Sequence, residues 1–552
     1  MQRCNGTDVP SGPTLPSRNE PPLGVRMTLA DLIAPGPANL RIHFPAEAAS
    51  VDYGDMWKSG EAVGGLRTSD RTPVAIVLNN TRACATVLVG AIAMGQSLVS
   101  VPMPPHGVNL DWYSQFMQRV CAITGATTLL LEASLLRTLP PAKNIPFLSF
   151  EDALALRGRK AADPGSFTLT QFTSGSTADP KGIVLPGHKI VANLRALLEW
   201  LQPDKDDGAC SWLPLSHDMG LIGMFLGTLA GAARQRSGTY DFVLMTPQSF
   251  VRNPGGWLAA CEQFKSTFTA APNYSFEMVA RRRGRVYDLK RLRMCIVGGE
   301  PIRANALEHF ANALRDSGFN SMALRPSYGM AEAVLGVTGT RANVPWHAAD
   351  IESLVPDPDA VVGRTGAFHQ IVGCGAPFPG YEVRIVGGGV GEILVKGPSI
   401  ADHYADGRRL VDAEGWFHTR DLGVSRDGEL YVLGRTDDVF CVAGRNVYAM
   451  DVEACAGEVT GVRTGRVVAL PEHGGLTLVA ECEPVFTEQG RASRLAQELK
   501  QQIVVRVGVA PSRVLLTRPG ALPLTASGKI RRRPLAAAVQ SDELKILPGS
   551  IH

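Results

Sequence analysis

Residues 172–182 read FTSGSTADPKG and combine small hydroxylated side chains, two glycines and a lysine, a set typical of loops that hold phosphate. A Walker-type phosphate loop needs a second glycine at a fixed spacing and a lysine followed directly by Ser or Thr. Counting from Gly175, the second glycine position holds Pro180, and Lys181 is followed by Gly182. The match fails twice, which argues against a Walker-type NTPase. A different polyphosphate loop and a flexible surface loop both remain open.

Five further islands carry chemically suggestive residues and follow the first in order along the chain. They read LPLSHDMGLIG (213–223), VGGEP (297–301), RPSYGMAEA (325–333), GWFHTRDLG (415–423) and LTASGKIRR (524–532). Each has an ordinary interpretation when taken alone. His217 is typical of a satisfied loop histidine, Glu332 of a surface helix residue and Asp421 of a turn residue. The basic run KIRRR (529–533) is typical of a solvated charge cluster. For Arg531, Arg532 and Arg533 we keep that interpretation.

The composition is that of an ordinary globular enzyme, with 45% hydrophobic and 19% charged residues. A chain of 552 residues exceeds one core, so two or more domains are expected. The net charge of +3 is small for this length and gives no reason to propose nucleic acid as a partner. Ten cysteines without a C-x-x-C pair argue against zinc and favour the reduced thiols of a cytoplasmic protein.

The apolar segments of the sequence do not indicate a membrane protein. The longest apolar run, ATVLVGAIAMG at 85–95, is too short to span a bilayer. Residues 1–26 lack the apolar core of a secretory signal, and their Pro, Gly and polar content predicts a disordered leader. We therefore expect a cytoplasmic protein with no membrane partner.

Alternating strand-like and helical segments predict an α/β body. TPVAIVLNN (72–80), a longer apolar segment, and SLVSVPM (98–104) describe a right-handed parallel crossover. ALEHFANALRDSG (306–318) has the periodicity of an amphipathic helix. We expect a large domain of mostly parallel sheets flanked by helices. Further strand candidates are TLLLE (128–132), CSWLPL (210–215), STFTAAP (266–272) and LRMCIVGG (292–299).

The pattern changes towards the C-terminus. From about 375, segments that alternate apolar and polar residues between glycines predict a small antiparallel β subdomain. After GRTDD (434–438) the segments predict a compact α+β unit. We place an N-terminal domain at 27–434, a hinge at 435–438 and a small mobile C-terminal domain at 439–552.

The order and spacing of the six motifs resemble the adenylate-forming (ANL) superfamily of acyl-CoA synthetases, peptide-synthetase adenylation domains and luciferases, over roughly residues 45–540. SHDMGLIG, PSYGMAEA and GRNVYAMDVE look most like its fatty acyl-AMP ligase branch. Glu332 and Gly375 are 43 positions apart, and an extra segment there is a feature of that branch. The resemblance implies an acyl-activating ligase with the ANL fold.

In that superfamily a carboxylate attacks the α-phosphate of ATP, pyrophosphate leaves, and a thiol then attacks the acyl-adenylate. The implied cofactors are ATP or AMP, Mg²⁺, and CoA or the phosphopantetheine of a carrier protein. The first step brings two anions together, so cations and preorganised donors must offset their repulsion. Lys529 would do so by bridging the carboxylate and the α-phosphate, His217 would lie beside the acyl carboxylate, and Glu332 would help place Mg²⁺.

The resemblance assigns roles to further positions. Asp421 would accept hydrogen bonds from both ribose hydroxyls, Asp437 would be the hinge, and Gly444 would face the thiol channel. The phosphate loop would comprise Thr173, Ser174, Gly175, Ser176, Thr177 and Lys181. The rest of the nucleotide site would comprise Gly299, Glu300, Tyr328, Gly329, Met330, Ala331 and Arg435. The acyl pocket would include Leu221, Phe225, Asn273 and Phe276.

Three positions depart from the superfamily pattern. Ala178 follows Ser-Thr in the phosphate loop where glycine is usual, Arg420 precedes Asp421 where glycine is usual, and Ala443 replaces an arginine common in the acyl-AMP ligase branch. A guanidinium at 420 could pair with phosphate or with Asp421. Because two departures lie at the nucleotide, one hypothesis is weak adenylation, with the thioester made from a preformed acyl-adenylate.

The leading interpretation is a ligase that makes a thioester from a hydrophobic carboxylic acid through acyl-AMP, with CoA as the expected acceptor. A fatty acyl-AMP ligase that loads an acyl carrier protein is the first alternative. Thioester formation only from a preformed adenylate is the second. A non-catalytic relative that binds nucleotide or acyl groups is the alternative of another class.

Overall fold

A computed structural model describes residues 27–66, 72–104, 110–140, 145–156, 163–172, 181–282, 285–354, 370–387, 389–442, 445–472, 475–524 and 530–551. The predicted leader at 1–26 lies outside these residues. No helix in the described ranges is both long and apolar enough to cross a membrane.

The largest sheet has nine strands, and the six consecutive strands in its middle pair with one another in parallel. The antiparallel edges are formed by Gly336–Gly339 and Ala376–Pro377 on one side and by Ala49–Asp52 on the other. The parallel strands, in spatial order, are Leu324–Gly329, Met294–Val297, Phe268–Ala271, Ala209–Ser211, Thr239–Leu244 and Asn39–Phe44.

A second sheet of six strands is parallel except for its last hairpin. The predicted crossover is confirmed: Val74–Val77 and Leu98–Val101 pair in parallel, and the helix Arg82–Ala93 joins them. Thr81 begins that helix by accepting a hydrogen bond from the Cys84 amide. The remaining strands are Phe147–Ser149, Leu129–Leu131, Thr168–Phe172 and Gly182–Pro186.

Smaller sheets complete the fold. The predicted antiparallel subdomain is a four-stranded sheet, and the C-terminal region contains a three-stranded sheet with one parallel pairing. The four strands are Glu382–Ile385, Gly391–Lys396, Phe417–Arg426 and Glu429–Arg435. The three are Val462–Glu472, Gly475–Cys482 and Arg513–Thr517. Two-stranded pairs are Ala348–Asp350 with Gln370–Val372 and Val439–Val442 with Arg445–Tyr448.

The α-helices flank these sheets. They are Leu29–Ile33, Tyr53–Gly60, Arg82–Ala93, Leu110–Thr124, Ala133–Leu136, Phe150–Ala155, Gly187–Leu201, Gly227–Ala233, Pro247–Arg252, Gly255–Gln263, Asn273–Ala280, Ala304–Ala313, Ile351–Leu354, Ala449–Gly457, Gln489–Val507 and Arg532–Gln540. Met219–Leu226 is a π-helix. Shorter 3₁₀ turns are Pro45–Glu47, Glu61–Leu66, Pro164–Ser166, Arg315–Ser317, Ser321–Ala323, Ala331–Ala333, Thr436–Asp438 and Pro484–Phe486.

Two expected elements are shorter than the sequence indicates. The strand predicted at 210–215 ends at Ser211, because the Asn80 side chain donates to the Leu213 carbonyl (2.9 Å) and accepts from the Leu215 amide (3.0 Å). The helix predicted at 306–318 ends at Ala313, and Gly318 adopts a φ of +72° after a 3₁₀ turn.

Separate hydrophobic cores lie in the two parts of the chain. The largest buries residues between Leu29 and Leu430, and another, between Val447 and Leu547, is built from the C-terminal sheet and helices. A smaller cluster draws on both parts and is called the hinge cluster below. Its buried members are Leu354, Ile371, Val424, Tyr431, Leu433 and Tyr448.

Candidate active site

The carboxyl ends of the parallel strands bring several predicted residues to one edge of the nine-stranded sheet. The strands ending at Ser211, Ala271, Val297 and Gly329 all run in the same direction. The segments that leave them carry the predicted residues His217, Asn273, Glu300 and Glu332, in that order. The carboxyl edge of an open α/β sheet is where ligands generally bind.

The predicted ribose-binding carboxylate is held by two neighbours. Asp421 lies opposite Arg435 in the four-stranded sheet, and its Oδ1 is 3.3 Å from the Arg435 Nε. The Tyr328 hydroxyl donates to Asp421 Oδ2 at 2.6 Å. Burial raises the pKa of the Asp421 carboxyl, and the Tyr328 hydrogen bond and the Arg435 charge oppose that rise. Burial and the Asp421 charge raise the pKa of Tyr328, which therefore stays protonated and donates.

The turn after Tyr328 leaves no room for side chains at its first residue. A Cβ at Gly329 would lie 1.9 Å from the Leu335 carbonyl oxygen, so glycine is required there. The Met330 amide donates to that same carbonyl at 2.8 Å. The 3₁₀ turn Ala331–Ala333 follows and carries Glu332, whose own carbonyl accepts from the Ala401 amide. The turn is therefore fixed by backbone contacts on both sides.

Glu332 lies in an environment that disfavours its negative charge. Burial raises the pKa of its carboxyl, and the negative charges of Asp218 and Asp421 add to that rise. A cation beside Glu332 would relieve this penalty. Within the described ranges no group of three His, Cys, Asp or Glu side chains surrounds a metal site. One carboxylate fits Mg²⁺ that is held mainly by substrate phosphates and water.

The predicted adenine-lining motif forms a turn after the strand Met294–Val297. Gly299 has a φ of +77°, a conformation that favours glycine. The Glu300 carboxylate accepts from the Tyr274 amide at 2.6 Å, and this contact ties the turn to the start of the helix Asn273–Ala280. Asn273 is buried and accepts from the Arg303 amide at 3.2 Å.

His217 is partly exposed, with its Nδ1 2.5 Å from the Asp218 carboxylate. The Met219 amide donates to Asp218 Oδ1 at 2.7 Å and lies 3.3 Å from the same His217 Nδ1, so both neighbours hold the ring at that nitrogen and leave Nε2 without either of these contacts. The π-helix Met219–Leu226 begins directly after Asp218. π-Helices are rare in proteins overall, but those that occur often lie at functional sites.

The residues predicted to line an acyl pocket are fully buried. Leu221 and Phe225 are 0% exposed on the π-helix. Phe276 is also 0% exposed and makes edge contacts with Trp257 and Phe310, the setting of a core residue. Lining of an acyl pocket by these residues stays a prediction.

Arg420 does not engage Asp421, contrary to one of the two pairings considered from sequence. Its guanidinium lies 2.6 Å from the carboxylate of Asp437, the predicted hinge residue. Its φ is +61°, in the left-handed region. No sequence signal pointed to this pairing, because a backbone conformation and a contact across 17 positions are both invisible in a motif.

The solvated interpretation of residues 531–533 is wrong for Arg532. Its guanidinium makes two hydrogen bonds with the Glu453 carboxylate, at 2.5 and 2.8 Å, and is 3.5 Å from Asp438. Burial raises the pKa of Glu453, and the Arg532 charge opposes that rise. The arginine is therefore a structural ion-pair partner.

Several predicted residues lie outside the described part of the chain. Lys181 is described and exposed, immediately before the strand Gly182–Pro186. Sequence reasoning also missed Thr419, whose hydroxyl accepts from the Asp421 amide at 3.0 Å. The residues outside the described ranges are Thr173, Ser174, Gly175, Ser176, Thr177, Ala178, Ala443, Gly444 and Lys529.

Comparisons with known proteins agree with this site. A model of the AMP-binding enzyme family matches residues 62–405. The long-chain-fatty-acid–AMP ligase FadD26 of Mycobacterium bovis is 29% identical over 87% of this chain and 89% of its own length. The 4-hydroxyphenylalkanoate adenylyltransferase of Mycobacterium tuberculosis is 30% identical, over 83% and 81% respectively. A solved structure from work on fatty acyl-adenylate ligases of E. coli and L. pneumophila superposes with a TM-score of 0.81 and 25% identity, covering 94% of this chain and 98% of that one.

The fold and the site together define an adenylate-forming α/β enzyme. Since the family model spans more than half of the chain, the protein belongs to the family of AMP-binding enzymes. The predictions of the ANL fold and of an acyl-activating ligase that works through acyl-AMP are confirmed. ATP and AMP are the nucleotides that enzymes of this family use.

Proposed function

We propose that the protein activates a hydrophobic carboxylic acid as its acyl-AMP and passes the acyl group to the phosphopantetheine thiol of a carrier protein. The observation that carries the first step is the Tyr328–Asp421–Arg435 arrangement beside Glu332 at the carboxyl edge of the large sheet. The relatives named as fatty-acid–AMP ligase and adenylyltransferase support the same step.

Asp421 is suited to hold a ribose. A carboxylate offers about four acceptor positions, and Tyr328 and Arg435 each use one. Two positions are left for the two ribose hydroxyls. Because Tyr328 and Arg435 hold the carboxylate before nucleotide arrives, little rotamer entropy is lost on binding.

Mg²⁺ bound with ATP would neutralise phosphate charge, and Glu332 is the residue that would hold it. An Nε2–H of His217 would donate to the acyl carboxylate, because Asp218 and the Met219 amide hold the ring at Nδ1. Lys181 is the described cation next to the phosphate loop. Lys529, in the segment TASGK, is proposed to bridge the acyl carboxylate and the α-phosphate during adenylation.

The acid is proposed to be hydrophobic because the neighbouring π-helix is apolar. Leu221 and Phe225 stand on it, two turns or fewer from His217. One relative is named for 4-hydroxyphenylalkanoates, which are aryl acids, and another for long-chain fatty acids, which are aliphatic. A panel of both classes is therefore the appropriate first screen.

The hinge cluster supports a carrier protein over free CoA as the acceptor. Leu354 and Ile371 come from the extra segment between Glu332 and Gly375, and they share this cluster with Tyr448 of the proposed C-terminal domain. A rotation that separates them would expose apolar surface, at roughly 25 cal/mol per Å². A docking carrier protein could offset that cost with interface energy, whereas CoA offers much less surface.

CoA is the second candidate, because the terminal lysine and the glycine before the thiol channel match a complete two-step ligase. The test is to incubate this protein and purified acyl-AMP with CoA or with holo carrier protein, in separate reactions, and to measure the thioester formed in each. We expect transfer to the carrier protein. Transfer to CoA at an equal or higher rate would contradict the proposed acceptor.

Adjacent residues offer a matched pair of variants. Ile371 packs in the hinge cluster, whereas Val372 packs in the main core. Ile371→Ala is expected to increase transfer to CoA, because it removes apolar contact that resists rotation. Val372→Ala removes a similar side chain without touching the hinge cluster and is expected to leave the CoA rate unchanged.

Adenylation itself is proposed to be retained. Arg420 contacts Asp437 instead of Asp421, so this departure leaves the ribose carboxylate to Tyr328 and Arg435. Acid-dependent exchange between pyrophosphate and ATP discriminates the alternatives. Absence of exchange together with thioester formation from supplied acyl-AMP would favour the transfer-only alternative. Absence of both, with nucleotide binding intact, would favour the non-catalytic one.

A further inference from the structure

Arg420 carries a backbone conformation that side chains disfavour. Its φ of +61° is in the left-handed region, within the strand Phe417–Arg426 and directly before Asp421. An arginine there costs about 1 kcal/mol relative to glycine. The conformation is held on both sides: the Arg420 amide donates to the Glu392 carboxylate at 2.9 Å, and the Arg420 carbonyl accepts from the Thr436 hydroxyl at 3.1 Å.

The side chain of Arg420 reaches the turn that connects the two parts of the chain. Its guanidinium lies 2.6 Å from Asp437 Oδ1, and Thr436, in the same turn, bonds to its carbonyl. Backbone and side chain of one residue thus hold the 3₁₀ turn Thr436–Asp438 against the strand that presents Asp421. A residue kept in a strained conformation while making such contacts is a candidate for a functional role.

The same turn is contacted from the C-terminal side. Arg533 lies 3.8 Å from Asp437 Oδ2, and Arg532 lies 3.5 Å from Asp438 while it pairs with Glu453. Asp437 therefore stands between a cation of the N-terminal body and a cation of the C-terminal helix Arg532–Gln540.

We propose that Arg420 is a positioning residue that clamps Asp437 in the present conformation of the hinge and so favours the present orientation of the C-terminal domain over the alternative one. The proposal rests on the hinge role of Asp437 in the proposed function. Both partners are partly exposed, 59% for Arg420 and 43% for Asp437, so the clamp is weak enough to open and is sensitive to salt. It lies beside the ribose-binding carboxylate without contacting it.

The orientation can be measured without substrate. Val251 and Val505 are 64% and 71% exposed, one on a helix of the N-terminal body and one on a helix of the C-terminal domain. Cysteines placed at these two sites would carry spin labels, in a background with Cys4→Ser and Cys441→Ser. The eight remaining cysteines are buried. Pulsed dipolar spectroscopy then reports the populations of the two orientations.

We expect Arg420→Ala to lower the population ratio of the present orientation about twofold to fivefold at low salt, the range of an exposed ion pair. The wild-type ratio should fall towards the variant's value at about 1 M salt, where the Debye length is about 3 Å. In an Asp437→Asn background, Arg420→Ala should have no further effect. Arg420→Lys should retain part of the preference.

Arg408→Ala is the matched control. Arg408 pairs with Asp406 at 2.6 Å with the same exposures, 59% and 43%, and the pair does not include the hinge turn. Its removal should leave the ratio unchanged. An Arg420→Ala ratio equal to the wild-type ratio, or an undiminished effect in the Asp437→Asn background, would overturn the clamp.

Failure of the clamp is distinguishable from failure of the proposed function. A single orientation in every variant, with and without acyl-AMP, would overturn both the clamp and the rotating hinge. Two orientations whose ratio ignores Arg420 would overturn the clamp alone. Acid-dependent pyrophosphate exchange, measured separately, reports adenylation whatever the spectroscopy shows.

Discussion

Tyr328 provides a direct test of how the nucleotide site works. Its hydroxyl donates to Asp421 Oδ2 at 2.6 Å, and Tyr328→Phe removes that donor while the ring keeps its packing. The Asp421 carboxylate would then keep the 3.3 Å contact with Arg435, whose side chain is 57% exposed and well solvated. The Asp421 backbone amide would still donate to the Thr419 hydroxyl. The carboxylate would remain in place and lose its buried partner.

A hydrogen bond to a charged group contributes about 1.5–3 kcal/mol. Because the Arg435 contact survives, we take the lower end, and about 1.4 kcal/mol corresponds to a tenfold change. We therefore expect kcat/KM for ATP in adenylation to fall about tenfold. The effect should appear mainly in KM, since the ribose does not react.

The pH dependence of kcat/KM for ATP provides a second, independent test of the Tyr328–Asp421 hydrogen bond. Burial raises the pKa of Asp421, and the Tyr328 hydrogen bond opposes that rise. Removing the bond raises the pKa further, so a larger fraction of Asp421 is protonated on the acidic side and cannot accept from both ribose hydroxyls. The acidic limb of kcat/KM for ATP should therefore move to higher pH in Tyr328→Phe.

The assay is acid-dependent pyrophosphate exchange across a pH series at varied ATP. Tyr381→Phe is the control, because its buried hydroxyl contacts Ser399 at 2.6 Å and Asn193 at 2.8 Å, outside the predicted nucleotide site. That variant should lose stability and keep the wild-type ATP profile. An unchanged KM and an unchanged acidic limb in Tyr328→Phe would refute the reasoning.

Three further predictions concern the cation, the metal residue and the C-terminal ion pair. Lys529→Ala should lower adenylation by about 10²-fold or more, the scale for removing one preorganised charge stabiliser. Transfer from supplied acyl-AMP should be largely retained, and comparable losses in both half-reactions would contradict the role. For Glu332, burial raises the carboxyl pKa, so folding stability falls as pH rises from the unfolded pKa through the folded one. Glu332→Gln should therefore unfold at higher urea at pH ~7 without nucleotide, by about 1.4 kcal/mol for each unit of pKa elevation removed. That gain should vanish in acid, and adenylation should be lost; equal stability at every pH would count against this. Arg532→Ala leaves Glu453 buried without its partner and should destabilise the C-terminal domain by about 3–5 kcal/mol. A change below about 1 kcal/mol in its denaturation curve would show that the pair is dispensable.

Motif order and strand patterns could be read from the sequence because both depend on local residue types. Tyr328, Glu332 and Asp421 were found through short motifs, and the strands Val74–Val77 and Leu98–Val101 through β-branched runs. Tyr328 and Glu332 lie at the carboxyl end of a strand of the large sheet, whereas Asp421 lies within the strand Phe417–Arg426 of the four-stranded sheet, and the topology brings them together.

Other features depend on contacts between distant residues. The arginine at 532 looked solvated because its partner Glu453 is 79 positions away. The strand Ala209–Ser211 is short because the side-chain amide of Asn80, more than 130 positions earlier, hydrogen-bonds the Leu213 carbonyl and the Leu215 amide. Nothing local in the sequence announces either contact, and propensity alone extends the strand.

Acid-dependent exchange of pyrophosphate into ATP, with mass spectrometry of the product, tests the central claim most directly. The wild-type protein should exchange with at least one hydrophobic acid and yield its acyl-AMP, and Asp421→Ala should abolish both signals while remaining folded. Exchange in Asp421→Ala at the wild-type rate, or a folded wild-type protein that binds ATP and adenylates none of a broad panel of acids, would contradict the account.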